Sequence, residues 1–142
     1  MKNPTFAAVE REFYQFKDHL HQMRNLIDRR DTLPMVRSSS DFRDQVSGGG
    51  VSCPVELWLE NQEFLDEMIA RHRLHVEPLQ HMLDYLREGR QEQVVLFELK
   101  YRKELKWPAV EMEMGISEST RKRMRCDLVW CGARFLGFCG NE

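Results

Sequence analysis

Several things are missing from this chain, and each absence narrows what it can be. No apolar run approaches the roughly 20 residues that a membrane-spanning helix needs, and the start lacks a basic stretch followed by an apolar core of the kind that directs export. The expectation is a cytoplasmic protein with no membrane partner. Cysteine is scarce: Cys53, Cys126, Cys131 and Cys139 are the only four, and none form a Cys-x-x-Cys pair. A disulfide scaffold and a zinc ribbon are both excluded, and the thiols read as reduced. His72, His75 and His81 lie close in sequence but without cysteines or carboxylates at a ligand spacing, so no metal is expected. No nucleophile elbow, motif-placed acid pair or nucleotide fingerprint is present, so the chain is read as a non-enzyme without a cofactor.

Charge of one sign is also lacking. Across 142 residues, 21 Lys and Arg against 23 Asp and Glu leave a formal net charge of −2. The balance is uneven along the chain. Residues 1–93 carry 12 cations and 16 anions, whereas residues 94–142 carry 9 and 7, and residues 117–134 carry five and two. The basic character is local, which is how a small nucleic-acid-reading element looks inside an otherwise acidic protein. So modest a patch gives modest, salt-dependent phosphate affinity.

That patch sits in the segment from Trp107 to Arg125. Trp107-Pro108 suits the first turn of a helix, where the missing proline amide would have had no partner. Gly115 can take the left-handed conformation that a tight turn between helices requires. Ser117 is a natural N-cap, so a second helix is predicted from Glu118. On it, Thr120, Met124, Leu128, Cys131 and Phe135 recur at helical spacing and predict one buried stripe. Ser119, Arg121, Lys122, Arg123 and Arg125 are then left to the other faces. A helix of this kind fits the major groove of duplex DNA, with residues of its first turns at base edges and flanking cations on phosphates. The candidate DNA-binding residues are Lys106, Ser117, Ser119, Thr120, Arg121, Lys122, Arg123 and Arg125, with Lys106, Arg121 and Arg125 expected on phosphates.

Two long helices precede it. Phe6, Val9, Phe13, Phe16, Leu20, Met23 and Ile27 alternate by three and four, a heptad seam that asks for a partner. Val55, Trp58, Gln62, Leu65, Ile69, His72, Val76, Leu79, Leu83 and Leu86 form a second seam, with Pro78 expected to kink the helix or divide it near Val76. Residues 31–53, with Ser38-Ser39-Ser40 and Gly48-Gly49-Gly50, read as a flexible connector; no Gly-Lys-Ser/Thr follows the glycines as a phosphate loop would need. Asp41, Asp44 and Glu56 read as turn and helix-start residues. Gly89 closes the second run, and Glu92–Lys103 predicts a third helix belonging to the DNA-binding unit.

The expected fold is therefore all-α: a long antiparallel helical hairpin over 1–90, with helices at about 4–30 and 54–88, followed by a small helix-turn-helix domain over 91–142. Dimerisation through the same seams is the competing use of the hairpin.

The order Gly48-Gly49-Gly50-Val51-Ser52-Cys53-Pro54-Val55-Glu56, a long helix, Leu99-Lys100-Tyr101, Trp107, then Ser117-x-x-Thr120-x-x-Arg123 resembles the ArpU/RinA-type phage late transcriptional regulators. The resemblance spans about residues 5–137. It implies a helix-turn-helix like that of sigma-factor region 4 and an activator of phage or prophage late genes, working in a bacterial host cell with RNA polymerase. By the same resemblance Trp107 starts the turn motif, Ser117 is its cap, and Ser119, Thr120, Lys122 and Arg123 are the polar positions of the recognition helix. The chain differs from the family in carrying Glu111-Met112 where a small or aliphatic pair is usual, and in a C-terminus rich in Cys, Trp and Phe. Two readings from other classes compete: a DNA-packaging recognition subunit of the small-terminase kind, and a protein-interaction module that binds polymerase or a host regulator without DNA.

Overall fold

The computed structural model describes residues 4–32 and 54–138. Among them all regular structure is helical: α1 (Pro4–Thr32), α2 (Pro54–Arg87), α3 (Gln91–Phe97), α4 (Trp107–Met114) and α5 (Glu118–Leu136). None of these helices is long and apolar enough to cross a membrane. The triple serine, the triple glycine, Asp41, Asp44, Cys53 and Cys139 lie outside the described residues.

Both long helices start on proline, whose fixed φ and absent amide suit a first turn. Of the two outcomes expected at Pro78, a kink or a division, the division does not occur. The helix runs through it because buried Val76, Leu79, Met82 and Leu83 hold both sides of the gap. The one carbonyl that the proline strands belongs to Leu74, whose neighbourhood is open to water.

The third predicted helix also differs. After Phe97 the chain widens into a π-helical segment, Glu98–Arg102, closed by Lys103 N–H donating to Glu98 O at 2.9 Å. Such a widening lodges an extra residue in the helix and re-aims the residues beyond it. Glu104 then takes a left-handed φ of 57°, an uncommon conformation for a residue with a Cβ.

The chain divides into two compact units, Met1–Leu20 with Leu74–Glu142, and His21–Arg73. The first half of α1 and the end of α2 share a core with the C-terminal helices. Phe13 meets Phe97 and Tyr101 edge-on at 5.2 and 5.0 Å, and Phe16 meets Phe97 at 5.7 Å. The reason is packing demand: a seam with three phenylalanines needs more apolar surface than one facing helix presents. Gly132 of α5 makes room for it. A Cβ there would lie 2.5 Å from Phe13 Cε1 and 3.1 Å from Val9 Cγ1, so only glycine lets α5 approach α1 this closely.

The second unit has a thinner core. Leu65 and Ile69 are buried, while Met23, Leu26, Ile27 and Trp58 are only partly covered. Arg30 reaches Asp66 at 3.1 Å, a partly exposed pair worth little on its own. Trp58 Nε1 and Gln62 Oε1 are buried there without a hydrogen-bond partner among the described residues.

Candidate nucleic-acid interface

The turn between α4 and α5 forms as its residues dictate. Gly115 ends α4 with φ 66° and ψ 39°, and its N–H donates to Met112 O at 3.3 Å. Ile116 N–H donates to Glu111 O at 3.1 Å, so two of the last carbonyls of α4 are satisfied. Ser117 caps α5: its Oγ accepts from Thr120 N–H at 3.2 Å and its own hydroxyl reaches Thr120 Oγ1 at 3.0 Å. Helix start, cap and left-handed glycine all fall where the sequence put them.

The buried stripe of α5 does not. Leu128 and Cys131 are buried as expected, but Thr120, Met124 and Phe135 are only partly covered. Arg121, Val129, Gly132 and Ala133 are buried instead, so the inward face is rotated by about one residue. Because of that rotation two expected phosphate ligands point into the protein.

Arg121 is only 9% exposed. Its Nε donates to Glu111 Oε1 at 2.9 Å, and its guanidinium lies 4.8 Å from the centre of the Trp107 ring. Glu111 thus serves the structure by neutralising a cation that the fold buries. Arg125 makes a bidentate bond to Glu10 at 3.0 and 2.6 Å and sits over Phe6 and Trp107 at 5.1 and 5.3 Å. Both arginines hold α5 against α1 and α4, their guanidinium groups engaged by carboxylates and aromatic rings of the protein itself. Planar guanidinium suits this role, since it donates to a carboxylate from its edge and stacks on an aromatic ring with its face.

Glu10, which sequence reasoning passed over, completes this cluster with Tyr101 and Trp107, which it had offered only as motif positions. Tyr101 is fully buried and donates its phenol proton to Glu10 Oε2 at 2.7 Å. Burial, and then the adjacent Glu10 carboxylate, push that phenol far above its usual pKa. The hydrogen bond with Glu10 raises Arg125. Lys100, 4.8 Å from the Trp107 ring, is lowered by burial and then by Arg125. The only sequence signal was the acidic Glu10 and Glu111 at positions otherwise without a purpose.

Of the eight candidates, Ser117 and Thr120 serve the cap, and Arg121 and Arg125 face inward. Lys106, Ser119, Lys122 and Arg123 are exposed. Ser119, Lys122 and Arg123 share the outward face of the first turns of α5, with Cys126 one turn further on. Lys122 Nζ lies 3.1 Å from Glu118 Oε1, both well exposed, and that contact lowers the Glu118 pKa. On the exposed face Lys122 and Arg123 are matched by Glu118 and Asp127, and Lys106 adds a cation at the start of α4.

The histidines of α2 go elsewhere: His75 stacks on His19 at 4.2 Å and bonds Glu12 through Nδ1 at 2.9 Å. Among the described residues no group of three His, Cys, Asp or Glu converges as metal ligands would. At the C-terminus Trp130 packs on Phe6 and Phe135 on Tyr85, leaving Phe138 more exposed. Compared with known proteins, the chain matches no family model, no curated protein and no solved structure.

Proposed function

We propose that this protein is a sequence-specific DNA-binding transcriptional regulator, built as a long helical hairpin followed by a small helix-turn-helix domain. One observation carries the reading: α5 starts at a rigidly capped turn, is clamped from behind by Arg121 and Arg125, and presents Ser119, Lys122 and Arg123 outward. A recognition helix needs that combination, because side chains can discriminate base edges only if the helix bearing them is held still. In this mechanism the first turns of α5 enter the major groove. Lys122 and Arg123 read bases and Lys106 holds a phosphate at the entrance to α4. The ArpU/RinA resemblance supplies the setting, activation of phage or prophage late genes with bacterial RNA polymerase in the host cytoplasm.

The test is selection of bound fragments from the source genome, followed by gel shifts with the K122E/R123E variant. Loss of specific binding with the fold intact supports the reading; an unchanged shift overturns the assignment of α5 as the reading helix. Each lost base contact should cost about 1–3 kcal/mol of discrimination.

The balance of Lys122 and Arg123 by Glu118 and Asp127 favours a second reading, a module that contacts polymerase or a host regulator without DNA. That reading requires no salt-dependent DNA affinity, even at low ionic strength.

A further inference from the structure

The first half of α2 carries an apolar face that is left uncovered among the described residues. Leu57 and Phe64 are 48% and 60% exposed, and Met68 is partly covered. They stand at spacings of seven and four, within about 40° of one another around a helix of 3.6 residues per turn. This stripe is separate from the buried seam of Leu65 and Ile69. It lies on the unit with the thinner core, where Met23, Leu26, Ile27 and Trp58 are half-covered and two polar atoms are buried without partners. A pair of helices alone buries too small a share of its surface to be well stabilised, and a second layer on this face would add the missing cover.

Charge beside the stripe identifies the occupant. Glu60 and Arg71 lie along one flank, eleven residues apart and so nearly in line. We infer that the chain forms a homodimer in which this face of α2 packs antiparallel on the same face of a second copy, about a two-fold axis passing between residues 65 and 66. In that register Glu60 of each copy meets Arg71 of the other, twice by symmetry, and each Phe64 lies beside Met68 of the second copy. A parallel two-fold pairing would carry the two copies of this flank to opposite sides of the interface, so Glu60 and Arg71 could not meet. Arg71 now bonds Glu67 at 2.8 Å, but both side chains are about two-thirds exposed, so this contact is weak enough to rearrange.

The dimer does not depend on the DNA reading, since its face shares no residue with α4 or α5. Sedimentation velocity on the full chain, over a concentration series without DNA, measures it. A concentration-dependent dimer is expected, with K122E/R123E leaving it unchanged. Phe64→Ser should give a monomer of unchanged helix content by far-ultraviolet circular dichroism. Glu60→Arg alone and Arg71→Glu alone should each weaken the dimer by about tenfold, and the E60R/R71E double reversal should restore it. Should Phe64→Ser fail to fold, this charge swap decides on surface residues alone. A chain that is monomeric at every concentration overturns the proposal, as does a double reversal no tighter than either single change. A monomer whose Tm falls with Phe64→Ser would make residues 33–53 the cover for this face and overturn it too.

Discussion

Glu10 and Arg125 lie 115 residues apart in sequence and bind each other through both carboxylate oxygens, at 3.0 and 2.6 Å. The carboxylate also accepts from Tyr101, so one acid near the start of α1 ties down α5 and the π-helical segment together. Glu10→Gln and Arg125→Lys should each cost about 1.5–3 kcal/mol in urea unfolding, because a charge-assisted, partly buried pair is lost and guanidinium geometry is not replaced by ammonium. The same variants should leave the salt dependence of DNA binding unchanged, which separates Arg125 from Lys122 and Arg123.

Arg121 and Glu111 form the second clamp, 2.9 Å apart and more deeply covered. Glu111→Ala should destabilise by about 2–4 kcal/mol, since it strands a buried cation. A double-mutant cycle with Arg121→Ala should show strong coupling, the double variant losing much less than the two single losses together.

Gly132→Ala is expected to be among the most damaging single changes. Its methyl would land in the Phe13 ring, and Phe13 has no room to retreat from Phe97 and Tyr101. Overpacking of this kind costs about 1–3 kcal/mol, and Phe13→Leu in the same chain should recover part of it by opening space. Calorimetric Tm values of the two variants and the unaltered chain test this.

Stability should fall on the alkaline side. Tyr101 has its folded pKa raised by burial and by Glu10. Its contribution is fully present below the ordinary phenol value near 10. As pH rises above that value the unfolded chain can release a proton that the folded chain retains, so stability is lost. Tyr101→Phe should cost about 1 kcal/mol at neutral pH yet show a shallower decline above about pH 10, measured by unfolding at stepped pH.

The turn itself can be tested at two positions. Ser117→Ala should cost about 1 kcal/mol as the cap on Thr120 N–H disappears, while Ser117→Asp should be tolerated. Gly115→Ala should cost about 1 kcal/mol at a φ of 66°, and Gly115→Asn less. Both are read by chemical denaturation.

Features that depend on near neighbours were legible in the order of residues alone. The heptad spacing of Phe6 through Leu20 and of Leu65 through Leu86 placed two long helices, Pro4 and Pro54 stand at their starts, and Gly115 with Ser117 placed a turn to the residue. These features rest on contacts within a few positions, where local chemistry dominates. Tertiary structure decided which side of α5 faces inward. The pattern from Thr120 to Phe135 favoured one stripe, but the glycine at 132 accepts Phe13, and Glu10 and Glu111 draw Arg125 and Arg121 inward. Burying an arginine is unfavourable unless a carboxylate meets it, and those partners lie 115 and 10 residues away. The packing of the first half of α1 on the C-terminal helices followed for the same reason: its phenylalanines needed the apolar surface those helices present, a demand set by volume and area across the core.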